Sequence, residues 1–100
     1  MNSDKILCEE KKHFGGKMVK VCVKAKENNV RGVIITGDFF VDPEEKFDEL
    51  TNKITNLEVS LDNALTSIMN IIRNGNIKFY GISLEDIEYV VKLILVLLKQ

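Results

Sequence analysis

The chain has 100 residues, of which 45% are hydrophobic and 29% are charged, and its formal net charge is −1. This length and composition predict one globular domain over residues 1–100 and exclude a disordered chain. The near-zero charge argues against general nucleic-acid binding. The longest apolar run, Leu93–Leu98, is far too short to span a bilayer. We therefore expect no nucleic acid and no membrane among the partners.

The charges are unevenly distributed along the chain. Residues 1–31 contain eight Lys or Arg and four Asp or Glu, a balance of +4. The remaining residues contain six and eleven, a balance of −5. A lysine-rich surface that simply faces solvent is the favoured interpretation. The alternative is a patch that meets an anionic ligand or an acidic partner surface.

The two cysteines, Cys8 and Cys22, have no Cys or His neighbours that would complete a metal site. Two cysteines also do not make a disulfide framework. The polar start of the chain does not resemble a secretory leader, so we expect a cytoplasmic protein with reduced thiols. Cys22 shares a strand face with lysines, which favours a reactive thiolate, but a passive small residue is the preferred interpretation.

The first forty residues predict three antiparallel strands. Strict alternation over Val19–Lys26 is typical of a half-buried strand. The less regular run Lys5–His13 precedes it as an edge strand. Val30–Thr36 follows it after a tight turn at Asn28–Asn29, since asparagine tolerates positive φ. The predicted inward residues of the central strand are Val19, Val21, Val23 and Ala25.

Helical patterns follow. Asp42 is predicted to cap the first helix, with Pro43 in its first turn and Glu45 closing a capping box. Ser60 is predicted to cap the second helix, which ends at Asn74–Asn76. Their predicted apolar stripes are Phe47, Leu50, Ile54 and Leu57 in the first, and Leu61, Ala64, Leu65, Ile68, Met69 and Ile72 in the second.

The third helix begins at Ser83, with Asp86 in the position of a capping-box partner. Its main apolar stripe consists of Leu84, Ile87, Val91, Ile94, Leu95 and Leu98. Val90, Leu93 and Leu97 widen that face, which favours a central core helix slightly over one that also docks on another chain. The predicted fold class is therefore α+β, with a small antiparallel three-stranded sheet followed by three helices packed on one face.

Independent catalysis is not expected. The one histidine, His13, stands near a predicted turn, with no Ser or Cys placed by sequence to act as its nucleophile. Gly15-Gly16-Lys17 has some likeness to a phosphate-binding turn but lacks the longer glycine pattern and the following helix. A sharp turn is the favoured interpretation. In Thr36–Phe40, two phenylalanines either fill the core or, where exposed, anchor a partner chain.

Four segments together resemble the accessory domain of lipoate–protein ligases: Gly15-Gly16-Lys17, Ile35–Phe40, Pro43-Glu44-Glu45 and Gly81–Asp86. The resemblance extends over residues 5–98. In the single-chain bacterial enzymes this domain is C-terminal, and in many archaea it is a separate small protein. Because the chain starts at Met1 and ends after its last predicted helix, we expect the stand-alone small-subunit form.

The resemblance implies a heterodimer with a catalytic lipoate–protein ligase subunit. That subunit uses ATP, Mg and lipoate to make lipoyl-AMP, and it then transfers the lipoyl group to a lysine of an acceptor protein. Acceptors are the acyltransferase component of 2-oxoacid dehydrogenases and the glycine-cleavage H protein. The accessory unit is needed for adenylation, where it closes on the catalytic subunit and completes the site. By itself it is expected to bind no cofactor or metal and to supply no catalytic residue.

The resemblance also implies a functional edge. Lys17 would approach the adenylate phosphate or an acidic partner group, and Asp38 would form a hydrogen bond across the interface or hold the turn. For Phe39 two positions remain open: an exposed ring beside the turn, whose truncation would weaken assembly with the partner, or a core ring, whose truncation would destabilise the domain. The residues assigned to this edge are Gly15, Gly16, Lys17, Thr36, Gly37, Asp38, Phe39 and Phe40.

Two other classes of function remain open at this point. A small sheet with helices on one face also describes iron–sulfur scaffold and sulfur-carrier modules, for which Cys22 would be the reactive residue. A generic protein-interaction domain, indifferent to ATP and lipoate, has the same fold requirements.

Overall fold

The computed structural model describes residues 4–100, and these form a main sheet, a small second sheet and three helices. The main sheet is antiparallel with strand order β1-β2-β3-β5, and β4 pairs with β6. In chain order the elements are β1 (Lys5–Lys12), β2 (Met18–Lys26), β3 (Asn29–Gly37), β4 (Phe40–Asp42), α1 (Glu44–Thr55), β5 (Val59–Ser60), α2 (Leu61–Asn74), β6 (Lys78–Tyr80) and α3 (Leu84–Leu98).

The α+β class is confirmed, but the predicted three-stranded sheet is wrong because the main sheet has four strands. The fourth strand, β5, is only two residues long and pairs with the start of β3. Strands β4 and β6 have three residues each. Segments this short cannot display a periodic pattern, and their pairing is fixed by tertiary contacts between distant parts of the chain. Along the chain, a short strand therefore precedes each helix: β4 before α1, β5 before α2 and β6 before α3.

The alternation of β2 is confirmed by burial. Val19, Val21 and Val23 are fully buried, and Ala25 is nearly so. Each buried valine contributes about 1.5–3 kcal/mol relative to an exposed one. Helix α3 covers β1 and β2, while α1 and α2 pack against β3. The helices thus cover one face of the sheet.

Helix α3 is the central core helix that its wide apolar face predicts. Val90, Val91 and Ile94 are fully buried. Toward its end Val96 and Leu97 are exposed, so the wide face is covered only over part of its length. No helix among residues 4–100 is both long enough and apolar enough to cross a membrane.

Two predicted local structures are shifted by one residue or more. Pro43, rather than Asp42, is the N-cap of α1, and it provides no side-chain cap because it has no polar side chain. Asp42 instead belongs to β4. In the β2–β3 hairpin, Lys26 pairs with Asn29, so the turn is Glu27–Asn28 and the positive φ of 57° belongs to Glu27.

The expectation of reduced thiols is also wrong. Cys8 and Cys22 form a disulfide with an S–S distance of 2.07 Å. The register of β1 and β2 places the two residues directly opposite each other, with 4.0 Å between their Cα atoms. The sequence does not predict this pairing, because the weak alternation of β1 leaves its register undefined.

Candidate functional site

Three loops meet at one end of the main sheet. They are the β1–β2 loop (residues 13–17), the segment from the end of β3 into β4 (residues 36–40), and the segment from β6 to α3 (residues 80–83). We call this region the three-loop end. All eight residues of the predicted functional edge lie on its first two segments.

The β1–β2 loop is closed by its own backbone. The His13 amide donates to the Lys17 carbonyl, and the Gly16 amide donates to the His13 carbonyl, both at 2.8 Å. Gly15 adopts a left-handed φ of +69°, which glycine tolerates best. The Gly16 and Lys17 amides are thus already bonded within the protein, the latter to Gly81. The loop is built as a tight turn, and these two amides do not form a phosphate cradle.

Close backbone packing joins this loop to the third segment. The Lys17 amide donates to the Gly81 carbonyl at 2.8 Å. A Cβ added to Gly16 would lie 2.5 Å from that same carbonyl oxygen, and one added to Gly81 would lie 2.4 Å from Cγ of Lys17. Glycine at both positions is therefore what allows the two segments to touch.

Asp38 joins the second segment to the start of β2. Its Oδ1 accepts a hydrogen bond from the Met18 amide at 2.7 Å. This bond is the main cause that lowers the pKa of Asp38, with smaller contributions from Lys17 and Lys12. At Gly37, with φ +155°, a Cβ would lie 2.2 Å from the Met18 carbonyl oxygen. Of the two roles expected for Asp38, the structure contains the one that holds the turn.

The two adjacent phenylalanines occupy different environments. Phe39 packs with Phe47 and Phe79, with ring centroids 5.8–6.2 Å apart across the three-ring cluster. Phe40 is 65% exposed. Of the two positions left open for Phe39, the structure has the one in the core, because its side chain points into the aromatic cluster. Phe40 is the exposed ring of this segment.

Each segment of the three-loop end carries an exposed aromatic ring. Phe14 is 99% exposed at the tip of the β1–β2 loop. Phe40 and Tyr80 are direct partners across the β4–β6 pair, and Tyr80 is 49% exposed. We call Phe14, Phe40 and Tyr80 the aromatic rim. The Lys17 ammonium lies 5.8 Å from the centre of the Phe40 ring, so a cation stands beside the apolar surface.

A buried carboxylate lies beneath the three-loop end and bonds to residues on either side of it. Asp86 is 2% exposed, and it accepts hydrogen bonds from the Lys11 ammonium and from the Ser83 amide, the latter at 2.8 Å. Nδ1 of His13 lies 2.5 Å from Oδ2 of the same carboxylate. The Ser83 hydroxyl accepts from the Asp86 amide, which completes the predicted capping box. Asp86 thereby connects α3, β1 and the β1–β2 loop.

The charge of Asp86 is stabilised by these partners. Burial by itself raises the pKa of the carboxyl, but the bonds from Lys11, from Ser83 and from His13 outweigh it and hold the pKa well below its usual range. The sequence predicts only a helix-cap role for Asp86 and a surface position for His13. The bonds from Lys11 and His13 depend on the packing of α3 against β1, a long-range contact that has no local sequence signal.

The arrangement presents a surface of exposed aromatic rings with a cation beside one of them. Lys11 and His13 are held by Asp86, and Lys17 stands beside an aromatic ring. Among residues 4–100, no group of three or more His, Cys, Asp or Glu side chains is placed to hold a metal ion. Exposed aromatic rings next to a cation are typical of residues that anchor protein–protein contacts.

Comparison with known proteins gives a match at the level of fold. No family model matches the sequence, and no curated protein matches it significantly. The structure is similar to a chain from an archaeal lipoylation system of Thermoplasma acidophilum, which comprises a bipartite lipoate protein ligase and its E2 lipoyl domain. The TM-score is 0.65 over 89% of this chain and 97% of that chain, at 20% sequence identity. The protein therefore shares its fold with a component of a lipoylation system.

Proposed function

We propose that this chain is the accessory, small subunit of a two-component lipoate–protein ligase. The observation that carries the proposal is the shared fold with a chain of the Thermoplasma acidophilum system. Since 97% of that chain aligns with 89% of these 100 residues, the two chains have similar lengths. A component of this size fits the small member of a bipartite ligase better than a catalytic subunit that must enclose ATP and lipoate.

The role we assign is to support adenylation. The catalytic subunit, with ATP, Mg and lipoate, forms lipoyl-AMP and releases pyrophosphate, and the lipoyl group then passes to a lysine amine of an acceptor. Acceptors would be a lipoyl domain of a 2-oxoacid dehydrogenase acyltransferase or the glycine-cleavage H protein. Closure of the small subunit would exclude water from an acyl-adenylate that otherwise hydrolyses. The chain itself supplies no reacting group in this scheme.

The three-loop end is the surface that we assign to the catalytic subunit. Phe40 and Tyr80 would fill apolar depressions of the partner, while Lys17 would meet an acidic group of the partner or the adenylate phosphate. Gly16, Gly37 and Asp38 act indirectly, because they hold the segments that present these side chains.

The alternative of a sulfur-carrier or iron–sulfur scaffold needs a free reactive cysteine. In this structure both cysteines are joined in a disulfide, so neither Sγ is a free nucleophile or ligand in this form. A generic interaction domain would use the same aromatic rim but would be indifferent to ATP and lipoate. A cytoplasmic location remains a prediction.

The proposal is tested by pyrophosphate release from the catalytic ligase subunit of the same organism, with ATP and lipoate, in the presence and absence of this chain. We expect release only in the mixture. Phe40→Ala should lower the release at limiting concentrations of the chain, whereas Val96→Ala, at an exposed site near the far end of α3, should not. Release by the catalytic subunit alone, unchanged on mixing, would contradict the proposal and favour the generic interaction domain.

A further inference from the structure

The sheet face opposite the helices carries the disulfide within a band of apolar residues. Cys22 stands opposite Cys8 on one side and opposite Ile34 on the other, while Ile6 stands opposite Lys24. Ile6 is 68% exposed and Ile34 is 49% exposed. Both cysteines are only half-buried. The bond therefore lies close to solvent on an apolar surface.

A groove of about 130 Å³ opens beside Cys22 on this face. Ile6 and Ile34 form apolar walls, and Lys24 and Arg31 add two cations to its lining. Each cation has an exposed ion pair, Lys24 with Asp4 at 3.7 Å and Arg31 with Glu58 at 3.5 Å. Such pairs are weak and are readily exchanged for another anion. Cys8 lies outside this groove, in a polar depression with Glu9, Glu10 and Lys20.

These features select one kind of ligand. Apolar walls suit a short hydrocarbon chain, the cations suit a carboxylate, and the disulfide suits a thiol donor. We propose that the groove binds a medium-length carboxylate bearing a 1,3-dithiol, of the dihydrolipoate class, and that this dithiol reduces the Cys8–Cys22 bond. The choice of dithiol rests on the proposed function, since the reduced form of lipoate carries all three groups.

The exchange is balanced in two steps. A ligand thiolate attacks Sγ of Cys22, the S–S bond breaks, and Cys8 leaves as a thiolate that takes up a proton. The second ligand thiol, deprotonated, then attacks the ligand sulfur of the mixed disulfide and closes a dithiolane ring, and Cys22 is released and protonated. Two electrons pass from the ligand to the protein. The two protons that the ligand loses are matched by those on the two cysteine thiols.

The fold can tolerate both states of this bond. Strands β1 and β2 remain aligned through eight residue pairs, from Lys5–Ala25 to Lys12–Met18. Beyond the strand pairing, Lys11 and His13 hold the end of β1 to Asp86 of α3. Reduction therefore breaks the disulfide bond but leaves the hydrogen bonds and ion pairs that hold β1 in position.

The test measures disulfide opening in the oxidised full chain, by alkylation of the new thiols and mass spectrometry. Dihydrolipoate and dihydrolipoamide carry the same dithiol and differ in the charge of the tail. We expect the rate with dihydrolipoate to saturate with concentration, and to exceed the dihydrolipoamide rate by roughly fivefold to tenfold at low concentration. The Lys24→Gln, Arg31→Gln double variant should abolish this difference. Ile34→Ser should slow both reagents, whereas Val96→Ser should change neither rate.

A second probe identifies the sulfur that is attacked. A mercaptooctanoate with one terminal thiol cannot close a ring, so it forms a mixed disulfide, which we expect on Cys22 and which alkylation of the released Cys8 thiol traps. Two results would overturn the inference. One is a rate that rises linearly with reagent concentration and is equal for dihydrolipoate and dihydrolipoamide. The other is mercaptooctanoate attached equally to Cys8 and Cys22. The measurement uses this chain alone, so its outcome is separate from the pyrophosphate assay. Failed exchange with intact adenylation would remove only this inference.

Discussion

Phe39 and Phe40 are neighbours in sequence, yet their side chains point to opposite sides of the chain at the start of β4, one inward and one to solvent. Phe39 lies within 6.0 Å of Phe47 and 5.8 Å of Phe79, measured between ring centroids. Phe40 stands in the aromatic rim beside Lys17. The first ring contributes to the stability of the fold, and the second is available to a partner.

This division predicts opposite outcomes for two matched truncations. Phe39→Ala should lower the free energy of unfolding by about 2–3 kcal/mol, somewhat below the loss for a fully buried ring. Phe40→Ala should change it by less than about 0.5 kcal/mol, as at other exposed sites. It should raise the Kd for the catalytic subunit by roughly thirtyfold, as expected for an anchor residue. Urea unfolding and titration calorimetry measure both quantities, and a reversed pattern would show that the rings are wrongly assigned.

Asp86 predicts how stability depends on pH. Its folded-state pKa is lowered, so the folded protein binds fewer protons than the unfolded chain at acidic pH. The contribution of this carboxylate is therefore fully present above its unfolded pKa of about 3.9 and is lost as the pH falls below that value. We expect the free energy of unfolding to decline more steeply between about pH 4 and pH 2 in the wild type than in Asp86→Asn.

At neutral pH, Asp86→Asn should lower the free energy of unfolding by about 2 kcal/mol. A neutral amide accepts weaker hydrogen bonds from Lys11 and His13 than the carboxylate does. Asp62→Asn is the control: Asp62 lies in the first turn of α2, where its exposed carboxylate is paired with Lys99 at 3.3 Å. Asp62→Asn should change the free energy of unfolding by only about a few tenths of a kcal/mol. Equal pH profiles for the wild type and Asp86→Asn would contradict the role assigned to the buried carboxylate.

At the scale of elements, the β1–β2 loop is held in place by its contact with the segment before α3. Gly16→Ala would place a methyl group against the Gly81 carbonyl, so we expect the loop to shift at a cost of about 1–3 kcal/mol. The Lys17 amide should then exchange its hydrogen faster, because its bond to Gly81 weakens.

Gly15→Ala is the comparison for this prediction. A Cβ at Gly15 meets nothing within 4 Å, so the variant should cost only about 1–2 kcal/mol for the left-handed backbone. It should keep the Lys17 amide protected. Hydrogen exchange followed by NMR separates the two variants, and equal acceleration at Lys17 would indicate that the Gly16–Gly81 contact does not fix the loop.

The elements that the sequence predicts correctly are those with a sustained period. In β2 the alternation of apolar and polar residues continues along the whole strand. In α2 and α3 the apolar residues recur over several helical turns. The residues that these patterns place inward are the ones that are buried. Strands β4, β5 and β6 have two or three residues each, so no period exists to be read. The Cys8–Cys22 bond depends on the register of β1, which its irregular pattern does not define.

At the scale of the whole molecule, the sequence predicts a functional edge from two separate segments but not how these segments meet. Gly15–Lys17 and Thr36–Phe40 are far apart along the chain, and the structure brings both to one end of the sheet. Tyr80 and Asp86 complete this end, although neither was among the predicted edge residues. Their positions depend on the β4–β6 pairing and on the packing of α3 against β1, which are long-range contacts.

The central claim is that the three-loop end docks on the catalytic subunit of a lipoate–protein ligase. It is tested most directly by amide hydrogen exchange of this chain, alone and mixed with that subunit in the presence of ATP and lipoate. We expect slower exchange in residues 13–17, 36–40 and 80–83, and little change at the opposite end around Asn28 and Leu61. Unchanged exchange throughout, or slowing confined to that opposite end, would contradict it.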